Sequence, residues 1–310
     1  MAACRILTQI RYTLCSAGPG ASVSSAESQP AVLVPMPHRI VIFTDLDGTL
    51  LDHTSYSFEE ARSALGLAHA KNAAVVFSSS KTRAEIEVIR EQTQVSTPFV
   101  VENGGAVYVP TGYFHFDIPE SLERDPYQVL ELGTPYPTLV NALKKVESRL
   151  GVGLRGFYQM TVAEIAADCG LSLEEAGRAK QREYDEPFIL EDPRGEIVEQ
   201  LREQAAHLGL RVTQGGRYFH LLGGNDKGRG VQILSEIFRK ADGTVVTVAL
   251  GDSLNDLPML QAVDHPFLVR KADGRYDDEV LRAFPGVRLA NGVGPAGWNA
   301  AVTEMLTGGL

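Results

Sequence analysis

The chain has 310 residues, a length that suggests about two domains, and 44% of its residues are hydrophobic, as in ordinary soluble globular proteins. Acidic residues outnumber basic ones by 39 to 29, which gives a formal net charge of -10. This balance argues against nucleic acid or an anionic membrane surface as a partner, since both favour a basic face. Because no apolar run approaches the roughly 18 residues that span a bilayer, we expect a soluble, cytoplasmic protein.

Residues 1–38 differ in composition from the rest of the chain. They are rich in Ala, Ser, Gly and Pro, and their charged residues are Arg5, Arg11 and Glu27. This composition indicates either a disordered extension or a targeting peptide, and we exclude the segment from the fold prediction.

The cysteines predict neither a disulfide framework nor a zinc site. Cys4, Cys15 and Cys169 are too few for a framework in a chain of this length, and no two of them have metal-ligand spacing. A reducing compartment fits this pattern best.

From residue 39 onward, short β-rich apolar runs alternate with helical stretches, which is typical of a parallel sheet built from βαβ units. The predicted strands of this sheet are 40–44, 73–77, 98–101, 245–250 and 267–269. Helix starts are predicted where Ser or Thr is followed three residues later by Glu, because each side chain can then cap a backbone N–H group. These pairs are Ser57 with Glu60, Thr82 with Glu85, Thr161 with Glu164 and Ser172 with Glu175.

Between residues 113 and 214 the order of the predicted elements changes. Capped helices come first, and a predicted strand at 187–190, a helix at 195–208 and a strand at 210–213 follow them. We therefore predict an α/β fold with a discontinuous catalytic core, residues 39–112 and 215–310. A separate α+β unit, residues 113–214, is inserted between the two parts.

Polar side chains follow three of the predicted strands. Asp45 and Asp47 come after 40–44, and the acidic segment 252–256 comes after 245–250. The strand at 73–77 ends in Ser-Ser-Ser-Lys-Thr, whose hydroxyls and helix start suit a phosphate. Ligands bind at the carboxyl ends of strands in open parallel sheets, so we expect these groups to share one cleft.

Three carboxylates in one cleft (Asp45, Asp252 and Asp256) would repel a phosphate dianion, at about 4 kcal/mol for each unit pair 4 Å apart at an effective dielectric of 20. Such a site requires cations. Oxygen ligands without His or Cys favour Mg²⁺, and Lys227 would add a further positive charge. A carboxylate can attack phosphorus to form an aspartyl-phosphate, and a neighbouring carboxyl can serve as acid and then base, roles that suit Asp45 and Asp47.

These segments resemble, in order and spacing, the motifs of the haloacid-dehalogenase-like (HAD) phosphatases. The resemblance implies a Rossmann-like core with an inserted α+β cap, as in sugar phosphatases. It also implies that Asp45 is the nucleophile, Asp47 the general acid and base, Ser79 a phosphate ligand, and Lys227 the cation that bridges nucleophile and phosphate.

The same resemblance implies a Mg²⁺ site. Its ligands would be Asp45, Asp47 through the backbone carbonyl, and Asp252. Asn255 and Asp256 would support this site.

The predicted α+β unit is similar to that of mannosyl-3-phosphoglycerate phosphatases. The similarity lies in segments 170–172, 175–176, 179–180 and 182–188, in the Ser-Ser-Lys-Thr run and the 102–105 turn, and in 215–217 followed by His220. It implies conversion of mannosyl-3-phosphoglycerate to mannosylglycerate, a compatible solute, and phosphate. The partner would thus be a small phosphorylated sugar–glycerate.

Four residues of these segments are candidates for substrate binding. Arg182 and Arg217 suit a carboxylate, because a guanidinium can bind it with two hydrogen bonds. Glu183 and Glu186 suit sugar hydroxyls, although Arg182, Glu183 and Glu186 would equally suit an exposed helix face. His220 is predicted to be a core or turn histidine and not a catalytic base.

Alternative functions remain at this point. They are hydrolysis of another sugar phosphate such as glucosyl-3-phosphoglycerate, a phosphomutase, and an idle binding protein. The last is disfavoured because no motif position carries a disabling replacement. The oligomeric state is left open.

Overall fold

The structure, a computed structural model, describes residues 38–215 and 218–308. The predicted extension, apart from residue 38, and the predicted substrate ligand Arg217 lie outside the described residues. Among the described residues there are thirteen strands: β1 (Arg39–Thr44), β2 (Ala74–Phe77), β3 (Phe99–Val101), β4 (Ala106–Pro110), β5 (Leu122–Arg124), β6 (Tyr127–Glu131), β7 (Leu154–Gly156), β8 (Asp185–Leu190), β9 (Arg211–Gly215), β10 (Tyr218–Leu222), β11 (Val245–Gly251), β12 (His265–Arg270) and β13 (Arg288–Val293).

The helices of the same residues are α1 (Arg62–Ala70), α2 (Arg83–Thr93), α3 (Tyr136–Leu150), α4 (Val162–Cys169), α5 (Leu173–Ala179), α6 (Gly195–Ala206), α7 (Lys227–Asp242), α8 (Leu257–Leu260), α9 (Asp278–Ala283) and α10 (Gly294–Thr307). Two short 3₁₀ helices cover Glu59–Ala61 and Leu254–Asp256. No helix in this part of the chain is long and apolar enough to cross a bilayer.

A five-stranded parallel sheet forms the centre of the fold, in the order β13-β12-β11-β1-β2. Strand β1 pairs with β11 over its whole length, from Arg39 opposite Val245 to Thr44 opposite Leu250. Apolar side chains of β1 are fully buried on both faces of the sheet, as expected for a parallel sheet covered by helices. The predicted α/β fold is confirmed, and the segments that follow β1 and β11 lie side by side.

One predicted strand belongs elsewhere. The run at 98–101 forms β3, which pairs with β4 in an antiparallel sheet of order β3-β4-β6-β5. It also adjoins the end of β2, because Ser78 and Val100 form an isolated parallel bridge and the Ser79 N–H donates to the Val100 carbonyl (3.1 Å). The chain reverses directly after β3 because Glu102, Asn103 and Gly104 all adopt positive φ (47°, 54° and 87°). The predicted strand itself is confirmed: its bridge to Ser78 is parallel, whereas its pairing with β4 is antiparallel because the tight turn brings these two strands together.

A third sheet, of order β7-β8-β10-β9, is antiparallel and packs against α3 and α6. Strand β10 belongs to this third sheet, although the predicted boundary at residue 214 assigned that segment to the core. Strands β5 and β6 belong to the sheet that contains β4, although the prediction assigned them to the α+β unit. Strand pairing therefore differs from the predicted boundaries. We propose that the inserted unit spans residues 134–222, and we call this segment the insert.

Three of the four predicted helix starts are confirmed. Reciprocal capping hydrogen bonds open α2 at Thr82, α4 at Thr161 and α5 at Ser172. The prediction for Ser57 with Glu60 was wrong, because the Ser57 hydroxyl accepts from the backbone N–H of Glu59 (3.2 Å) and a 3₁₀ turn precedes α1.

Glu186 of β8 is a fully buried carboxyl inside the insert. Its Oε1 accepts a hydrogen bond from the backbone N–H of Tyr158 (3.1 Å). Burial raises the pKa of Glu186 to about 7, although the nearby Tyr136 hydroxyl and the Tyr158 amide oppose the shift. The folded protein therefore holds a proton on Glu186 at pH values where the unfolded chain has lost it.

Glu186→Gln should remove a pH-dependent part of the stability. Between the ordinary carboxyl pKa of 4.5 and about 7, unfolding releases the Glu186 proton, so this residue makes the free energy of unfolding fall as pH rises through that window. The difference in the free energy of unfolding between the wild type and the variant should change by about 3 kcal/mol across this pH window. Urea unfolding at pH 4.5, 6 and 8 measures the difference. The exposed-site variant Glu196→Gln should give a constant difference, and a constant difference for Glu186→Gln would contradict the assignment.

Candidate active site

The ammonium of Lys227 lies between two carboxylates at the carboxyl ends of β1 and β11. Its Nζ is 2.6 Å from Asp45 Oδ1 and 2.6 Å from Asp256 Oδ1, and the residue is 1% exposed. Lys227 is the first residue of α7, whose N-cap Asp226 accepts from the backbone N–H of Arg229. Burial alone lowers the pKa of Lys227, but the carboxylates of Asp256 and Asp45 raise it by more. The pKa therefore lies above its ordinary value, and the group is an ammonium ion.

Asp45 is 6% exposed and lines a cavity. Its backbone N–H donates to the Leu250 carbonyl (2.9 Å), which joins β1 to β11 at the site. Burial raises the pKa of Asp45, whereas Lys227 lowers it. Because the carboxylates of Asp256 and Asp252 also raise it, the pKa of Asp45 lies above its ordinary value. Since Oδ1 contacts Lys227 and Oδ2 makes no hydrogen bond to any described residue, the second oxygen is available to a ligand.

Asp47 stands two residues later on the cavity wall, with a partly exposed side chain. Its Oδ2 is 3.0 Å from Lys81 Nζ, and Lys81 is also 3.7 Å from Glu85. Its Oδ1 is buried and has no hydrogen-bond partner among the described residues. The sequence analysis placed Lys81 in a phosphate-binding run but did not predict its ion pair with Asp47.

Carboxylate oxygens of Asp45, Asp252 and Asp256 lie within 4.8 Å of one another. Asp256 is already engaged, because Oδ1 contacts Lys227 and Oδ2 accepts from the backbone N–H groups of Asp252 (3.0 Å) and Ser253 (3.1 Å). Asp256 thus stabilises the loop, while Asp45 and Asp252 remain to bind a cation.

A divalent cation with oxygen ligands suits this pair. Burial and the Asp256 carboxylate raise the pKa of Asp252 to about 7, although Lys227 opposes them, and a bound cation would offset that charge repulsion. Gly48, with φ of +79°, permits the close approach, because a Cβ there would lie 3.1 Å from Asp252 Oδ2. The residues present therefore fit a metal ion.

The side chain of Asn255 connects this loop to the β3–β4 turn. Its Nδ2 donates to Asn103 Oδ1 (3.3 Å) and its Oδ1 accepts from Ser253 (2.8 Å). Support of a metal site by Asn255 remains a prediction.

Ser79 does not reach the cavity wall. It is fully buried, and its hydroxyl accepts from the backbone N–H of Lys81 (3.3 Å) within the turn that leads to α2. The neighbouring Ser80 and Lys81 line the cavity instead. A direct phosphate contact by Ser79 remains a prediction that this geometry does not support.

A cavity of about 670 Å³ adjoins the carboxylates and extends to the insert. Three insert residues on its wall are neighbours across the sheet, because His220 of β10 is opposite Pro187 of β8 and Thr213 of β9. Phe157 and Tyr218 also line the wall. The volume is far larger than a phosphate group and suits an extended ligand.

Of the predicted substrate ligands in the insert, Arg182 lines this cavity. Its Nη1 donates to the Ser80 carbonyl (2.7 Å) and its Nε to the Ala179 carbonyl (2.8 Å). Glu183 does not line the cavity, since it accepts from the Tyr108 hydroxyl (3.1 Å) and pairs with Arg124 (2.9 Å).

Glu186 also lies away from the cavity. Side chains alternate along a strand, so Glu186 faces the opposite side of β8 from Asp185 and Pro187. Contact of Glu183 and Glu186 with sugar hydroxyls remains a prediction that this geometry does not support.

The sequence analysis missed a buried pair next to the cavity. Asp185 is fully buried, and its oxygens lie 3.0 and 2.9 Å from His220 Nδ1, while Asn103 Nδ2 donates to it (2.9 Å). Although burial raises the pKa of Asp185, contacts with His220, Arg182 and Asn103 lower it below its ordinary value. Both residues stand in the family-like segments quoted above, but nothing in those segments indicated which side chains face the cavity.

Comparison with known proteins agrees with this arrangement. The sequence profile of the haloacid dehalogenase-like hydrolases matches residues 42–122. The chain is 44% identical over 266 residues to the glucosyl-3-phosphoglycerate/mannosyl-3-phosphoglycerate phosphatase of Methanococcoides burtonii, covering 86% of this chain and 97% of the relative. It is 38% identical over 229 residues to the mannosyl-3-phosphoglycerate phosphatase of Pyrococcus furiosus, covering 74% and 90%.

A solved phosphatase of the HAD superfamily from Bacteroides thetaiotaomicron has the same fold, with a TM-score of 0.60, 16% identity and coverage of 89% of this chain and 97% of that one. The sequence relatives are similar along nearly their whole length. The chain therefore belongs to the mannosyl-3-phosphoglycerate phosphatase family of the HAD-like hydrolases, and it is a phosphoric monoester hydrolase.

Proposed function

We propose that this protein is a Mg²⁺-dependent phosphatase that hydrolyses mannosyl-3-phosphoglycerate to mannosylglycerate and phosphate through an aspartyl-phosphate. Glucosyl-3-phosphoglycerate is the second candidate substrate, because the relative from Methanococcoides burtonii carries both names. The single observation that carries the chemistry is the contact of Lys227 with one oxygen of Asp45, with the other oxygen left available beside the cavity.

In the first step, Asp45 Oδ2 attacks phosphorus and the bond from phosphorus to the glycerate oxygen breaks. Asp47 gives its proton to that leaving oxygen. In the second step, water attacks the phosphorus of the aspartyl-phosphate and gives a proton to Asp47, and Asp45 departs as the free carboxylate. Lys227 remains charged throughout and offsets negative charge beside the transferring group.

Mg²⁺ would be held by Asp45, the backbone carbonyl of Asp47 and Asp252, and when bound it would neutralise charge on the phosphate. Asn255 and Asp256 would keep this loop in place. The protein's own contribution is to hold three carboxylates close together before substrate arrives.

The cavity supports a substrate larger than a simple phosphate ester. The insert contributes the guanidinium of Arg182 to its wall, and Phe157, Pro187 and Tyr218 offer apolar surface that can pack against a sugar ring. Mannosyl and glucosyl groups differ only in the configuration of one hydroxyl, so one cavity can accept both.

Asp45→Asn should abolish turnover, because an amide cannot act as the nucleophile. We expect kcat to fall by about a thousandfold or more while the circular dichroism spectrum is unchanged. Phosphate release measures the loss. The exposed-site variant Asp117→Asn should retain full activity. Turnover by Asp45→Asn near the wild-type rate would remove Asp45 from the nucleophile role.

Removal of divalent cations should stop the reaction, and Mg²⁺ should restore it. Asp252→Asn should also weaken Mg²⁺ binding to the free protein by about tenfold or more, since it removes a charged ligand. Isothermal titration of Mg²⁺ measures this independently of activity, with the exposed-site variant Asp278→Asn as the control. Full activity in excess EDTA, or equal Mg²⁺ affinity in the two variants, would contradict the proposed metal site.

The substrate assignment is tested by phosphate release from mannosyl- and glucosyl-3-phosphoglycerate. Arg182→Ala should raise KM for these substrates by about tenfold or more and affect p-nitrophenyl phosphate less, because that ester lacks the glycerate and sugar. Arg149→Ala, an exposed site on α3, should change neither. Transfer of the phosphoryl group to a sugar without release of phosphate would indicate a phosphomutase instead.

A further inference from the structure

We infer that His220 is a substrate-binding residue whose Nε2 donates a hydrogen bond to the glycerate carboxylate of the substrate. The inference rests on the proposed function and extends it, because it assigns a specificity-determining residue on the insert.

The His220 ring is held in one orientation. Both carboxylate oxygens of Asp185 lie within 3.0 Å of Nδ1, and Asp185 is itself fully buried. His220 is 8% exposed, lies on the cavity wall, and belongs to β10, which is flanked by strands on both sides. Within the described residues no group bonds Nε2. The outer ring nitrogen is thus the part of the side chain that a ligand in the cavity can contact.

The charge of Asp185 favours an anionic ligand over a neutral one. Asp185 contacts Nδ1, and an imidazole with an anion at each ring nitrogen donates a hydrogen bond from both. A charged donor forms its strongest hydrogen bonds with carboxylate or phosphate oxygens. The phosphate is expected at Asp45, so the carboxylate is the anionic group left for His220.

The lysines on the cavity wall are engaged with protein carboxylates. Lys81 contacts Asp47 and Glu85, and Lys271 is 2.6 Å from Asp277. The engaged nitrogens of Arg182 donate to backbone carbonyls, as described above. Arg182 and His220 each keep one nitrogen without a hydrogen bond to the described residues, so the two side chains can bind the same carboxylate without breaking an existing contact.

A chain of hydrogen bonds fixes His220 relative to the loop that carries Asp252. Asn103 donates to Asp185 and accepts from Asn255, so the turn after β3 contacts both the insert and the loop that carries Asp252. The adjacent Glu102 accepts from the backbone N–H groups just before Asp185, at 3.0 and 2.8 Å. The position of His220 relative to the loop that carries Asp252 is therefore set by direct contacts.

Two substitutions separate the two ring nitrogens. Asparagine can keep a donor near the Nδ1 position and lacks Nε2, whereas glutamine reaches further and can place a donor near Nε2. His220→Asn should lower kcat/KM for mannosyl-3-phosphoglycerate by about 10- to 100-fold more than for p-nitrophenyl phosphate, as expected for a lost charge-assisted hydrogen bond. His220→Gln should lose less. The exposed His207→Asn should match wild type on both substrates.

A binding measurement on the wild-type protein keeps the inference testable if a variant fails to fold. The ¹⁵N resonance of His220 Nε2 should shift on addition of mannosylglycerate, and far less with mannosylglyceramide, whose carboxamide replaces the carboxylate, or with inorganic phosphate. Equal shifts with the acid and the amide would assign His220 to the sugar and overturn the carboxylate contact.

The outcomes also distinguish this inference from the proposed function. Absence of phosphate release by wild type from both glycosyl-3-phosphoglycerates would reject the proposed function itself. An active wild type whose His220→Asn variant loses equal activity on both substrates would reject only the role of His220.

Discussion

The ion triad of Asp45, Lys227 and Asp256 is the interaction on which the site depends. Removing three charges from water is costly, and mutual attraction repays that cost only with close, well-directed contacts, as at 2.6 Å here. Asp256 then uses its second oxygen to hold the loop that carries Asp252. A single ammonium therefore positions two of the carboxylates and, indirectly, the third. It cannot neutralise all three, and this excess negative charge is what favours a divalent cation.

The two halves of the site come from different kinds of structure. Reactive groups follow strands of a rigid parallel sheet, where adjacent β1 and β11 bring segments distant in sequence together. The part of the cavity wall that we propose contacts the sugar and glycerate lies on an antiparallel sheet in the insert. The β3–β4 turn joins them, and two of its residues, Glu102 and Asn103, adopt left-handed conformations that cost energy without glycine. Their hydrogen bonds with the insert and with the loop that carries Asp252 offset that strain.

Much of the core site could be predicted from the sequence, because Asp45 and Asp252 directly follow apolar strands and strand ends converge in parallel sheets. The cavity wall could not. In β8, Asp185 and Glu186 are both acidic and both buried. Polarity therefore did not indicate which of them lies on the cavity side of the sheet and contacts His220. The three serines before Lys81 are equivalent by pattern, and only the turn geometry distinguishes Ser79 from Ser80. Likewise, β3 has the composition of a parallel strand, and its antiparallel pairing with β4 depends on the conformation of the short turn between them.

The contact between Asp45 and Lys227 closes a loop of 182 residues that contains the whole insert. During synthesis β1 leaves the ribosome long before its partner β11, so the β11 side of β1 stays unpaired until the insert has been made. Independent folding of the insert would shorten this gap by bringing its two ends together. A protein with this connectivity thus gains from an insert that folds early, quite apart from any role in choosing a substrate.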